Sequence, residues 1–415
     1  MNYNLLSKTT QSINNLTRFI SIKLNNIIAN LLRILPVSSE MLGPIKGFYQ
    51  STSDFISSQS PNLIGDEYRY QPVYFESDQE MRKPISLDQE EHWEFKSFYN
   101  DPMPETFVAH VPNARVWGYS GTVIVADDKI LADVSREFIP NLKCHSSWNK
   151  MKFPSIRKLE GTAAVLSATG GEGFYHFLLD VVPRLKLIEC AKISYTEIDY
   201  FIVNSYQKKF HQEILDKLGI CKEKIIESET NPHVKVDQLI VPSLTGNIIT
   251  KPSWVRDYLS QKILGDIDYS LYDQVVRKNN RIYINREQAN IRKVKNQDQV
   301  LEVLENFKFE LVTLELMSVT DQALLFSSAD VVVAPHGAGL SNIIFCHPGT
   351  KVIEIFSPNY VKPFYWSLAN ISNLEYYYIM GEGEAPEPYV DPNKITEDIM
   401  VNIESLIKIL KIAQV

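Results

Sequence analysis

His176 and Asp180 lie four residues apart in a run, Phe174 to Cys190, whose apolar content predicts a helix, so both side chains share one face. A histidine or carboxylate on such a face can take the proton of a hydroxyl as a general base. The roles stay open: His176 as base with Asp180 orienting it or holding a hydroxyl, or the reverse. A structural alternative pairs Asp180 with Arg184, four residues on, in a helical ion pair worth only tenths of a kcal/mol. Further along, Arg286 and Arg292 flank a loop, where guanidinium forks suit phosphate oxygens, and Lys293 and Lys295 add charge. The alternative there is a solvated polar loop. A third group is His336, followed by Gly337, Ala338, Gly339 and Leu340; its glycines allow close backbone approach, and its unpaired N–H groups can face an anion. Glu354, set among apolar strand residues, is a candidate acceptor for a ribose hydroxyl or a carboxylate satisfied by its own surroundings.

The elements that must hold these groups are legible. Val331 to Ala334 is a β-branched apolar run of strand length. The glycine turn follows, then an apolar stretch (Leu340, Ile343, Ile344, Phe345) read as a helix, a Pro348-Gly349 stop, and a strand from Lys351 to Phe356. Strand, turn, helix, strand is a parallel crossover, and ligands bind such sheets beyond the carboxyl ends of the strands. Upstream, Thr162 to Thr169 reads as a strand feeding Gly170-Gly171-Glu172-Gly173, with Pro183 kinking the helix beyond. Further strands are expected at Tyr200 to Asn204, Lys224 to Glu227, Gln238 to Val241, Arg281 to Asn285, Phe309 to Leu314 and Leu374 to Ile379. Helices are expected near Gln207 to Leu218, Gln297 to Phe307 and Tyr360 to Ala369, with another opened by a Ser318-x-x-Asp321 cap. Strands alternating with helices predict a parallel sheet.

Three blocks, GGEGFYHFLLDVVPRL, RIYINREQANIRKVKN and HGAGLSNIIFCHPGTKVIEIF, closely resemble the signature of glycosyltransferase family 61 over roughly residues 105 to 380. The resemblance implies an α/β fold of GT-B type, two facing Rossmann-like domains with parallel sheets. It also implies inverting transfer from a nucleotide sugar to a hydroxyl without a catalytic metal, as in bacterial capsule and polysaccharide biosynthesis. On that basis His176 and Asp180 become catalytic candidates. Arg286, Arg292, His336, Gly337 to Leu340 and Glu354 become the nucleotide-sugar site. No cofactor is expected beyond the nucleotide sugar as donor substrate, and the acceptor is expected to be a glycan or a lipid-linked sugar. Gly171-Glu172-Gly173 stands where many members carry asparagines. Asp266-Ile267-Asp268 is a D-x-D, read as chance because no convincing strand precedes it. An epimerase-like enzyme would need a G-x-G-x-x-G loop, which is missing, and a degenerate binding or scaffold protein is the non-enzyme alternative.

The 415 residues suffice for two cores. A net charge of −8 argues against nucleic acid as main partner, since phosphate backbones need a basic surface. Four widely spaced cysteines without C-x-x-C suggest a reducing interior, so a cytoplasmic protein is expected. The first forty residues differ: Lys8, Arg18, Lys23 and Arg33 precede the first acid, Glu40. Apolar residues from Ile13 to Leu35 follow a helical spacing. This predicts an amphipathic helix that lies on an anionic membrane surface, or packs on its own domain or a partner. The expected division is helix and linker over 1–66, a first Rossmann-like domain with a leading β-meander over 67–245, a nucleotide-sugar domain over 246–395, and a terminal helix over 396–415.

Overall fold

The structure, a computed structural model, describes residues 23–60, 67–74, 81–88, 90–265, 280–384 and 390–415. Among them a first sheet holds ten strands: β1 (Gly47–Tyr49), β2 (Arg69–Tyr74), β3 (Thr106–Pro112), β4 (Arg115–Trp117), β5 (Thr122–Ile124), β6 (Lys129–Leu131), β7 (Arg157–Val165), β8 (Tyr200–Val203), β9 (Ile225–Glu227) and β10 (His233–Pro242). Its parallel part runs β10-β7-β8-β9. The expected meander is present as β4, β5 and β6, yet it is continuous with this sheet. Its first strand pairs with the beginning of β10 and β3 with the end, so one long strand carries two short ones along its edge.

The second sheet is wholly parallel, β11 (Arg281–Ile284), β12 (Glu310–Val312), β13 (Val331–Pro335), β14 (Lys351–Phe356) and β15 (Glu375–Met380), in the order β12-β11-β13-β14-β15. Both faces are covered, which is why β13 and β14 read as near-continuous apolar runs. Val332, Ala334, Val352 and Phe356 face the core shared with the first sheet. Val333, Ile353 and Ile355 face the helices Gln297–Asn306 and Ile403–Ile412. The terminal helix thus belongs to the second sheet. Ser318 caps its helix as expected, its side chain accepting from the Asp321 N–H at 3.1 Å.

Two stretches depart from the expected division. Residues 36–60, read as a linker, are folded onto the first sheet. There β1 runs parallel to β6, and buried Arg115 pairs with Asp128, whose carboxylate also accepts from Ser39. Serine and glycine here serve buried turns rather than a tether. Residues 81–95, which no periodicity placed, leave the first sheet for the second: Ile85 bridges to Tyr377, Trp366 Nε1 donates to the Arg82 carbonyl, and Phe95 packs on Trp366 and Tyr378. Of the expected N-terminal helix, residues 23–34 are helical, and the remainder lies outside the described residues. Asp266 and Asp268 also lie outside them. No described helix is long and apolar enough to cross a membrane.

Candidate active site

The single kinked helix expected from Phe174 is instead broken in a specific way. Phe174–His176 is α-helical, Phe177–Val181 forms a π-turn, and α-helix resumes at Arg184–Cys190. Pro183 has no N–H to offer the Leu179 carbonyl, and Thr245 Oγ1 donates to that oxygen instead at 2.8 Å. Wide turns of this kind are frequent at functional sites. The pairing of the two candidates survives it: His176 Nδ1 lies 2.7 Å from Asp180 Oδ2. Arg184 makes no ion pair with Asp180. It donates to the Ser167 carbonyl at 2.8 Å and to the Pro242 carbonyl, tying together the chain just beyond β7 and the end of β10.

A residue that sequence reasoning missed completes the group. Lys251 is fully buried, and its Nζ lies 2.7 Å from Asp180 Oδ1. Burial works to raise the Asp180 carboxyl, but the Lys251 ammonium and the His176 hydrogen bond outweigh it and hold the group below the usual carboxylate range. Burial lowers Lys251 despite its partner. With Asp180 ionised and accepting, the Nδ1–H of His176 donates to it, which leaves Nε2 as the ring nitrogen able to meet a hydroxyl. Gly170 shapes the ground beneath the imidazole: its φ is +76°, and a Cβ there would stand 2.5 Å from His176 Cδ2.

His176 and Asp180 border a small solvent-open cleft beyond the carboxyl ends of β7 and β10, where the strand order reverses. Phe138, 56% exposed, sets its ring 5.5 Å from that of His176. Arg136, Thr169 and Asn247 supply polar edges.

The second group sits at the switch point of the other sheet. Chain order turns there between β11 and β13; Arg286 follows the first and His336 the second. Neither Arg286 nor Arg292 has an acidic partner within ion-pair distance among the described residues. Arg286 donates to the Ile291 carbonyl at 3.1 Å, and Arg292 to the Ile395 carbonyl at 3.2 Å while lying over the Tyr360 ring. Both Nε groups are buried without a partner. Burial and the charge of Arg292 together lower Arg286. Arg292 also holds a left-handed φ of +53°, uncommon for a side-chain-bearing residue. Two half-buried guanidiniums without a carboxylate form a site that suits an anion.

The glycine turn holds this pair in a way its sequence did not foretell. Gly337 is extended, with φ 170°, so its role is space: a Cβ would meet Arg286 Nη1 at 1.6 Å. The following element, Ala338–Phe345, is a 3₁₀ helix rather than the expected α-helix, and the Leu340 N–H is spent on the Gly337 carbonyl. Leu340 is therefore not a free donor; Leu314 packs where a Gly339 side chain would stand. Glu354 is fully buried, with one oxygen on His336 Nδ1 and the other on the Tyr376 hydroxyl. Both of its oxygens are thus engaged by side chains of the protein itself. Burial raises the Glu354 carboxyl well above its usual range. Burial and the nearby cations, Arg292 foremost, push His336 well below its own. The pair is therefore neutral, the carboxyl O–H donating to an unprotonated Nδ1 and the ring proton sitting on Nε2.

Phe364 joins the two groups. Its ring lies 6.3 Å from that of His176 and 6.4 Å from that of His336, and Tyr175 packs against both Phe364 and Tyr365. The only sequence signal for this bridge was the aromatic content of Tyr360 to Trp366.

One mixed and one wholly parallel sheet make a mixed α/β fold consistent with a Rossmann-like glycosyltransferase. The family described as Glycosyltransferase 61 matches residues 174–353, a little under half of the chain. The match takes in His176, Asp180, Lys251, both arginines and His336. Among curated proteins, a beta-1,2-xylosyltransferase of Arabidopsis thaliana is 33% identical over 81 residues, 20% of this chain. A beta-1,2-xylosyltransferase of Oryza sativa subsp. japonica is 36% identical over 63 residues, 15% of this chain. These alignments span 15% and 12% of the two relatives.

Proposed function

We propose that the protein is an inverting glycosyltransferase of GT-B arrangement, moving a sugar from a nucleotide-diphosphate donor to a hydroxyl of a glycan or lipid-linked acceptor. The carrying observation is the unneutralised Arg286–Arg292 pair, set across Phe364 from the His176–Asp180–Lys251 group. In this reading the acceptor hydroxyl lies in the His176 cleft, one face of its sugar on Phe138. His176 Nε2 takes the hydroxyl proton as oxygen bonds to the anomeric carbon. The bond from that carbon to the diphosphate oxygen breaks, and its electron pair leaves with the nucleotide. Arg286 and Arg292 hold the developing charge, with His336 donating from Nε2; preorganised donors of this kind supply much of leaving-group catalysis. Attack and departure on opposite sides of the ring give inversion. Glu354 acts by fixing the His336 tautomer. The named activity of the plant relatives makes a pentose such as xylose one donor sugar to try.

The test is a panel of uridine, guanosine and cytidine diphosphate sugars, first by thermal shift and then by turnover with simple glycosides, with and without EDTA. Turnover that survives chelator is expected, because arginines rather than a metal neutralise the leaving group. Activity abolished by EDTA and restored by manganese overturns the metal-free mechanism. Binding of every nucleotide without turnover of any donor sugar favours a binding protein that kept the fold.

A further inference from the structure

We infer that helix 23–34 is a phospholipid-docking element fixed rigidly to the first sheet, with its polarity reversed relative to a soluble surface helix. Such a helix ordinarily turns its apolar stripe inward and its charges outward. Here Arg33 points inward, donating to the Ile45 and Trp148 carbonyls and stacking 3.6 Å over the Trp148 ring. Lys46 reaches back from the sheet side and donates to the Leu32 and Leu35 carbonyls, closing the end of the helix. Only Ala29 of this helix is fully buried. Leu24, Ile27, Leu31 and Ile34 face solvent on one side of the helix, Ile34 at 81%. A contiguous exposed patch of this kind marks an interaction surface.

Charge selects the occupant. The chain carries −8 overall, yet its first 39 residues hold no acid, and Lys8, Arg18 and Lys23 accompany the inward-pointing Arg33. An apolar stripe within a basic segment is complementary to an anionic lipid surface, where acyl chains take the stripe and headgroups meet the cations. A second copy would bring the same positive segment against itself. Because Arg33 and Lys46 clamp the helix, membrane contact would hold the first sheet at a fixed attitude rather than on a leash.

Flotation of the full chain with vesicles of phosphatidylcholine containing phosphatidylglycerol, against phosphatidylcholine alone, tests this. Light scattering and thermal melting run in parallel. The wild type should float with the anionic vesicles, less at high salt. Leu31→Glu/Ile34→Glu should lower partitioning at least about tenfold, with melting temperature and mass unchanged. Three results overturn the proposal: no flotation of the wild type, a dimer that the double variant dissolves, or a fall in its melting temperature. The last would show the stripe to be covered by the chain itself. None of these readouts depends on glycosyl transfer.

Discussion

Lys251 places its ammonium 2.7 Å from the Asp180 carboxylate, inside the protein and on the oxygen that His176 does not use. A histidine–carboxylate pair is thereby backed by a buried cation some seventy positions along the chain. The carboxylate is kept ionised against burial, which by itself works to raise its pKa.

In the proposed mechanism Lys251 is a positioning residue. Lys251→Met should slow transfer about tenfold or more, the worth of a lost charge-assisted contact, with nucleotide binding unchanged. A purely structural lysine would not move the pH profile. Here the Asp180 carboxyl loses the ammonium that holds it down, so the acid limb of the rate profile should shift to higher pH. An unmoved limb assigns Lys251 to folding alone.

The two ends of the pair separate by size of effect. Removing a general base lowers turnover about 10²–10⁴-fold. His176→Ala should show that loss, and Asp180→Asn a smaller one, both keeping nucleotide affinity and their circular dichroism. The reverse ordering exchanges the roles, and changes of only a few fold in both would remove this helix from the chemistry.

On the donor side, Arg286→Ala or Arg292→Ala should each weaken nucleotide-diphosphate binding by about 1.5–3 kcal/mol in calorimetry. Gly337→Ala should do the same without unfolding the protein, since the added methyl displaces the mobile end of Arg286 rather than backbone. Affinity unaltered in all three moves the phosphate site elsewhere.

The neutral His336–Glu354 pair gives stability a pH signature. A carboxyl whose folded pKa lies above its unfolded value of 4.5 favours the folded state fully below about that pH. The contribution declines as pH rises toward the folded value, by at most about 1.4 kcal/mol per unit. His336, depressed from 6.5, works oppositely and loses stability as pH falls below that value. Glu354→Gln removes only the first effect. The stability margin of the wild type over this variant, from urea melts, should therefore shrink as pH rises from 4.5. A margin that grows with pH would mean an ionised Glu354.

Much of this was legible because the local rules are strong. The i,i+4 spacing placed His176 against Asp180, and the apolar runs announced β13 and β14. The arginines were found from charge within a loop that follows a strand. What stayed hidden depends on distant contact. Lys251 has no pattern of its own and gains meaning only from Asp180. Gly337 read as a place for close backbone approach to a ligand, and in the fold it also makes room for Arg286. Glu354 looked like a ligand acceptor because a lone acid in an apolar strand advertises function, while its partner Tyr376 lies two strands of sequence away from His336. Residues 36–60 resembled a tether because small polar residues serve buried turns and open linkers alike.

The excursion of residues 81–95 has a mechanical meaning. The chain joins the first sheet at β2, crosses to lie along the second, and returns to the first at β3, before crossing again after β10. Two lobes sewn together by three passes of one thread cannot swing apart like covers on a single hinge. Donor exchange would then rely on local movement near Phe364 and the arginine loop. Calorimetry should show one melting event for both lobes, and two resolved events would mean that the stitching is slack.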